Sequence, residues 1–142
     1  MTMGARTEGK RVAIILHSEA YDRVSYALSL AQVALASGME VYVLLTYGAL
    51  GRFVGNRLMQ MGDETSPLTK ERIQRGLATG GIQTLETQLA DARVLGLKIY
   101  ACPNAMAALN IARSDLRSEV DGTMGLATFL PLASDATINW YI

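Results

Sequence analysis

A short apolar run near the start of the chain constrains its fold more than any other feature. Residues Arg11–Leu16 read R-V-A-I-I-L, which is typical of a strand buried on both faces, as in a parallel sheet. Apolar residues then recur from Val24 to Leu35 at three- and four-residue steps, which predicts an amphipathic helix that Gly38 ends. A second buried strand is predicted over 40–46. Together these elements predict a right-handed βαβ unit.

The rest of the chain continues the alternation of strands and helices. The further predicted elements are a helix that Thr84 caps and Gly96 ends, a strand over 97–101, a short helix over 103–109, a brief strand over 119–121, a helix over 123–133 and a strand over 136–142. Within the helix over 123–133, Leu126, Ala127 and Leu130 are expected to face the core. This series predicts an α/β three-layer sandwich with a mostly parallel, five-stranded, flavodoxin-like sheet, in which the first strand lies between the second and the third.

The 142 residues suit a single domain, 1–142, whose polar residues 1–10 are expected to be flexible. The segment 50–80 interrupts the pattern: it is rich in glycine, has no dominant period and is predicted to be an irregular insertion. Short helices are expected over 54–61 and 68–77. A connection this long is typical of a lid or an interaction surface, and a loose surface excursion is an equal alternative.

Composition excludes several classes of function. The formal net charge is zero, and no cluster of Lys and Arg suits a nucleic acid partner. A neutral chain has little charge repulsion between copies, so we expect a homo-oligomer, as a trimer or a larger closed ring. No apolar run is long enough to cross a membrane, and no export segment precedes the first strand, so we expect a cytoplasmic protein without a transmembrane segment.

Metal and cofactor motifs are also missing. One His and one Cys do not make a metal site, and a single cysteine excludes an internal disulfide. The first strand is followed by H-S-E-A-Y-D rather than by a dinucleotide-binding glycine motif. We therefore expect no metal and no cofactor.

The stretch around the single cysteine carries the clearest chemical signal. A predicted strand runs directly into Cys102, and Pro103 follows at the position that suits the first residue of a helix. Cys102 is thus predicted to be the N-cap, where free backbone N–H groups and the helix dipole favour the reactive thiolate. The alternative is that Cys102 is a small buried apolar residue, as most free cysteines are.

Two more candidate residues follow other strands. His17 and Tyr47 come after the first and second strands, at the edge of an α/β sheet where functional groups gather. In the expected strand order His17 lies next to Cys102, where it would accept a proton or stabilise a thiolate. Tyr47, Pro103 and Asn104 are candidate substrate-binding residues. A loop histidine bonded to backbone and a tyrosine that only packs are the alternatives for His17 and Tyr47.

The order of several pieces resembles the DsrE/DsrF-like family, in particular its peroxiredoxin-like branch linked to sulfur relay. The similar pieces span nearly the whole chain, and the two most specific are K-I-Y-A-C at 98–102 and G-L-A-T-F-L at 125–130. Others are T-Y-G-A-L at 46–50 and V-D-G-T-M at 120–124. Pro103-Asn104 after the cysteine and Pro131 in the late helix depart from the family's pattern.

The resemblance implies a DsrE-like fold, homo-oligomers and a cysteine that carries sulfane sulfur as a persulfide. Cys102 stands at the matching position, so the implied function is a sulfur carrier or sulfurtransferase-like subunit. Its partners would be a sulfur donor or acceptor protein or a small thiol. Whether the chain is an enzyme stays open. A non-enzymatic oligomeric module that binds a small ligand, and a thiol redox protein of peroxiredoxin-like type, are the alternatives.

Overall fold

A computed structural model of the protein describes residues 9–142. Five strands and six α-helices alternate along this part of the chain. In chain order the elements are β1 (Arg11–Leu16), α1 (Tyr21–Ala36), β2 (Glu40–Leu45), α2 (Tyr47–Arg52), α3 (Pro67–Ala78), α4 (Leu85–Val94), β3 (Lys98–Ala101), α5 (Pro103–Ala108), a 3₁₀ turn (Arg113–Asp115), β4 (Gly122–Thr123), α6 (Leu126–Ser134) and β5 (Ile138–Tyr141). The predicted α/β class with a parallel five-stranded sheet is confirmed.

The order of the strands differs from the flavodoxin-like expectation. The sheet runs β4-β3-β2-β1-β5, so β2 rather than β1 lies between its two sequence neighbours. The crossovers from β1 through β4 all step in one direction, and only the last one, through α6, returns to the opposite edge. The pattern of apolar residues reports which strands are buried but not the direction of each step, so the predicted order was wrong.

The two faces of the sheet are covered unequally. Alternate residues of a strand point to opposite faces, and paired residues in register share a face. The inner face packs against α1 and α4 and is fully buried; it consists of Val12, Ile14, Leu16, Val41, Val43, Leu45, Ile99 and Ala101. The outer face lies opposite, and α6 packs over β1 there. The Arg11 guanidinium donates to the Leu132 carbonyl and the Asn139 side chain donates to the Ala133 carbonyl, which fix α6 in place.

Helix ends follow the predicted signals. Thr84 accepts a hydrogen bond from the Thr87 N–H at 3.1 Å, as an N-cap should. Gly96 adopts a φ of +102°, which a residue with a Cβ rarely reaches, and it ends α4. α4 is joined to α1 through Gln88, whose side chain bonds the hydroxyls of Ser25 and Ser29. The strand before Cys102 and the helix that Pro103 opens are both confirmed.

The fourth strand lies at 122–123 rather than at 119–121. The two acidic residues of the predicted strand, Glu119 and Asp121, form ion pairs and do not pair with a neighbouring strand. Glu119 pairs with Arg117, and the Asp121 carboxylate bonds Arg93 while accepting the Ile99 N–H at 2.7 Å. With these two side chains engaged in ion pairs at the edge of the sheet, the strand begins only at Gly122.

The orientation predicted for the last helix was wrong. Leu126 and Leu130 are 54% and 70% exposed, Ala127 is exposed as well, and Phe129 is the buried residue of α6. The helix is apolar on nearly every side, L-A-T-F-L-P-L-A-S, so its sequence contains more than one apolar stripe. Periodicity could not select the stripe that packs on the sheet.

The segment 50–80 contains one of its two predicted helices. No helix forms over 54–61, whereas the helix expected over 68–77 is present as α3. Of the residues 1–10 that were expected to be flexible, 1–8 lie outside the described part of the chain. Gly9 donates a hydrogen bond to the Gly38 carbonyl, and the Glu40 N–H donates to Lys10. Across 9–142, no helix combines the length and apolar character that crossing a bilayer requires.

Candidate functional site

A cleft of about 690 Å³ opens beside α2, the short helix that follows β2. One wall is the start of α2, with Tyr47 and Gly48. The segment after α5 also lines the cleft, with Leu109, Asn110 and Ile111. The remaining lining residues come from α2 itself, from the loop after it, from the segment before α1 and from the 3₁₀ turn; they are Gly51, Arg52, Val54, Arg57, Gln60, Gly62, Glu64, Glu19 and Asp115. The cleft therefore lies on the carboxyl-end side of the strands, where ligands of open α/β sheets bind.

Arg52 holds the cleft together from within the protein. Its guanidinium donates to the carbonyls of Glu19, Leu58 and Gln60, and to the Glu64 carboxylate at 3.1 Å. The residue is only 6% exposed. All five N–H donors of an arginine can be satisfied by this set of acceptors. Because three of the acceptor residues lie in the 53–64 loop and the fourth, Glu19, precedes α1, Arg52 joins that loop to the start of α1.

The same loop also completes the start of α1. Ala20, the N-cap residue of α1, has no side chain that could cap the helix. Instead the buried hydroxyl of Thr65 accepts the Tyr21 N–H at 3.1 Å. The Tyr21 ring lies 5.7 Å from the Arg52 guanidinium carbon, within cation–π distance. The loop, α1 and α2 thus share one buried polar cluster.

Burial and pairing shift the pKa values of this cluster. Burial lowers the pKa of Arg52, although the charges of Glu64 and Glu19 oppose that shift. Burial acts to raise the pKa of Glu64, but hydrogen bonds from backbone N–H groups, with the charges of Arg52 and Lys70, outweigh it and the pKa is lowered. The Gly62 N–H is one of these donors, at 2.9 Å. Burial raises the pKa of the Tyr21 phenol.

Two residues that line the cleft have an unusual backbone. Tyr47 has a φ of 45° and Asn110 a φ of 53°, and these are the non-glycine residues with positive φ among residues 9–142. Asn tolerates this left-handed region, whereas the backbone of a tyrosine is strained in it. Gly48 permits the close approach next to it, since a Cβ there would lie 3.0 Å from the Glu19 Cβ. Strained backbone of this kind gathers at binding sites.

His17 lies at the expected edge but not beside Cys102. Because β2 separates β1 from β3, the prediction that His17 adjoins Cys102 was wrong. Its exposed imidazole instead lies between two tyrosines, with ring centroids 5.7 Å from Tyr47 and 5.9 Å from Tyr141. It also lines a smaller hollow of about 310 Å³ with Ser18, Glu19, Ala20, Gly48 and Glu64. His17 therefore belongs to the Tyr47 side of the molecule.

Cys102 is the N-cap of α5, as predicted, but its side chain is enclosed. The residue is 5% exposed, and its sulfur accepts no hydrogen bond from the first turn of α5. Its backbone is fixed, because its N–H donates to the Leu45 carbonyl at 2.9 Å. Pro103 and Asn104, the next two residues, are exposed, and none of the three lines the cleft. Of the predicted substrate-binding residues, the cleft includes Tyr47 alone.

Sequence reasoning missed most of the residues that shape the cleft. From the sequence, Arg52 and Arg57 could attract an anion, with a solvated surface as the favoured interpretation, and nothing singles out Glu64. A sequence signal for Arg52 does not exist, because its acceptors are mainly carbonyls of the chain at distances set by the fold. No group of three or more His, Cys, Asp or Glu residues within 9–142 is arranged to hold a metal ion.

Comparison with solved structures supports the architecture. The chain is similar to MTH1491, a protein of unknown function from Methanobacterium thermoautotrophicum, with a TM-score of 0.65 and 12% sequence identity. The match covers 94% of this chain and 99% of that one, and at this identity it shows the fold alone. No family model and no curated protein matches the sequence. The resemblance to the DsrE/DsrF-like family stays a prediction.

Replacing Glu64 with Gln tests the buried ion pair. At neutral pH we expect Glu64→Gln to lower the free energy of unfolding by about 1–3 kcal/mol, the range for a hydrogen bond to a charged group. The pKa of Glu64 is lower in the folded protein, so its stabilisation is present above the unfolded value of 4.5 and is lost as the pH falls through the folded value. Urea unfolding at several pH values would therefore show the difference between variant and wild type shrinking in acid.

The matched control is Glu71→Gln, which removes an exposed pair with Arg75 four residues along α3. Exposed pairs of this kind contribute at most about 0.5 kcal/mol, so this variant should unfold almost like the wild type. If the two variants lowered the free energy of unfolding equally and at every pH, the role given to Glu64 would be contradicted.

Proposed function

We propose that the protein binds a small organic molecule in the cleft beside α2. The observation that carries this proposal is that Tyr47 and Asn110, both with left-handed backbone, line one cleft. Its volume of about 690 Å³ lies within the usual range for small-molecule sites. Its position on the carboxyl-end side of a parallel sheet supports the same conclusion.

The lining residues favour one class of ligand. Arg57 is exposed and makes no ion pair with any of the described residues, so it is free to meet an anionic group. Glu19 and Asp115 line the same cleft and disfavour a second negative charge. Tyr47, Leu109 and Ile111 offer aromatic and aliphatic surface. We therefore propose a ligand with one carboxylate or phosphate group and an apolar or aromatic part.

Binding can be tested with a panel of aromatic carboxylates and organic monophosphates. NMR chemical-shift changes of the backbone amides would detect each member that binds. A member that binds should shift amides of Tyr47–Arg52 and of 109–111. Arg57→Gln should then weaken its affinity by about tenfold, because a charge-assisted hydrogen bond to the anion is lost.

Arg72→Gln is the control, since Arg72 is an equally exposed arginine on α3 and does not line the cleft. It should leave the affinity unchanged. The proposal fails if no member of the panel shifts the cleft amides, or if Arg57→Gln binds as tightly as Arg72→Gln.

A second candidate function, a sulfur carrier or sulfurtransferase-like activity at Cys102, retains one supporting observation. Cys102 stands as the N-cap directly after a central strand, at the position that the DsrE/DsrF-like resemblance assigns to a persulfide. The burial of its side chain means that α5 must open before the thiol can react. Ala105 is the one buried residue of the six-residue α5, so little packing opposes such an opening. A thiol-dependent carrier would work in a reducing compartment such as the cytoplasm.

In that reaction the Cys102 thiolate attacks the outer sulfur of a donor persulfide. A new S–S bond forms on Cys102 while the donor's S–S bond breaks, and the donor leaves as a thiolate. Reduced protein treated with polysulfide should gain the mass of one sulfur atom, and Cys102→Ser should gain none. Thiol labelling of the native protein should be measurable and faster in Ala105→Gly, which loosens α5. Labelling that occurs only after denaturation would support the alternative, a thiol with a purely structural role.

A further inference from the structure

The charges that line the cleft beside α2 do not balance. The carboxylates of Glu19, Glu64 and Asp115 line it, together with the guanidinium groups of Arg52 and Arg57. Three negative and two positive groups leave one negative charge in excess before any ligand enters. A ligand that brought only an anionic group would enlarge this excess, and like charges repel strongly in a partly enclosed site. The cleft therefore favours a ligand that also carries a positive charge.

Only one of these three carboxylates lacks a partner among the described residues. Glu64 pairs with Arg52 at 3.1 Å. Asp115 accepts the Ala112 N–H at 2.8 Å at the start of the 3₁₀ turn. Arg52 attracts the Glu19 carboxylate through space, but within the described chain that exposed carboxylate accepts no hydrogen bond and forms no ion pair. Glu19 is therefore the group that remains to bind a cation.

The rest of Glu19 is held in place by α2. Its carbonyl accepts two hydrogen bonds from the Arg52 guanidinium, at 2.6 and 2.9 Å. Its side-chain stem lies against Gly48, where an added Cβ would come within 3.0 Å of the Glu19 Cβ and 3.3 Å of its Cγ. A side chain whose stem is already ordered loses less conformational entropy when its carboxylate binds. Glu19 is thus a preorganised acceptor.

Glu19 lies where two hollows meet. It lines both the cleft and the smaller hollow of about 310 Å³, as do Gly48 and Glu64. There is therefore space beside its carboxylate in both hollows. Tyr47, the residue before Gly48, lines the cleft and is 45% exposed, so its ring adds a surface on which an ammonium group binds by cation–π attraction.

We propose that the ligand of the cleft is zwitterionic. Its ammonium group donates to the Glu19 carboxylate, its carboxylate or phosphate group meets Arg57, and its apolar part packs against Leu109 and Ile111. Amino acids with an aromatic or aliphatic side chain belong to this class of ligand, as do phosphorylated amines. This inference rests on the proposed binding function and adds a positively charged group to the ligand.

Matched pairs of ligands isolate the contribution of the ammonium group. Phenylpropanoate with phenylalanine, and para-ethylbenzoate with para-(aminoethyl)benzoate, are pairs that differ by one amino group, placed near the carboxylate or far from it. Titrations followed by the amide shifts of the cleft give each affinity. In at least one pair the amine should bind the wild type about tenfold more tightly, because it gains a charge-assisted hydrogen bond.

Glu19→Gln should abolish this gain, since the amide keeps the stem and the carbonyl contacts but loses the charge. The amine should then bind about tenfold more weakly than to the wild type, whereas its counterpart without an amino group should bind as before, which shows that the cleft is intact. Asp22→Asn is the matched control. It removes a negative charge from an exposed residue of the first turn of α1 that does not line the cleft, and should leave the gain unchanged.

Three results would overturn this inference but not the proposed function. They are amines that bind no more tightly than their counterparts in both pairs, a gain that persists in Glu19→Gln, and a gain that Asp22→Asn removes equally. If no member of either pair shifts the amides of the cleft, the inference fails together with the proposed function.

Discussion

The buried guanidinium of Arg52 is the interaction on which the site depends. A loop of twelve residues, 53–64, contains no helix or extended strand, and its backbone hydrogen bonds belong to short turns and to single contacts with Asp115 and Arg117. Arg52 ties these turns together by binding the carbonyls of Leu58 and Gln60 and the Glu64 carboxylate, while also binding the Glu19 carbonyl outside the loop. Burying an arginine costs solvation energy that only a complete set of acceptors offsets, so the loop can take few other shapes.

The cleft and the thiol stand at neighbouring strand ends but are separate sites. Tyr47, which lines the cleft, lies two residues after β2, and the enclosed Cys102 directly follows β3. Because β2 lies between β1 and β3, His17 joins the aromatic residues near the cleft and does not assist the thiol. The strand order therefore decides which residues can act together. It separates His17 from Cys102 by one strand and so disfavours proton transfer between them.

Local features of the chain were predictable because local physics determines them. The β-branched run of β1, the Thr84 cap and the proline after Cys102 each act within a few residues, and each was confirmed. Non-local features were not predictable in the same way. The direction of each crossover, the stripe of α6 that packs inward, and the acceptors of Arg52 depend on residues far apart in the sequence. The outward position of Leu126 and Leu130 is the clearest example, since their spacing alone suggested burial.

The central claim is that Arg52 fixes the wall of the cleft, and hydrogen exchange of Arg52→Met tests it most directly. Amides of residues 53–64 should exchange at least about tenfold faster than in the wild type, while amides of β1 and β2 keep most of their protection. Unchanged exchange in 53–64 would contradict the account. Equal acceleration in the loop and in the central strands would contradict it as well, because the loop would then rely on the stability of the whole protein rather than on Arg52.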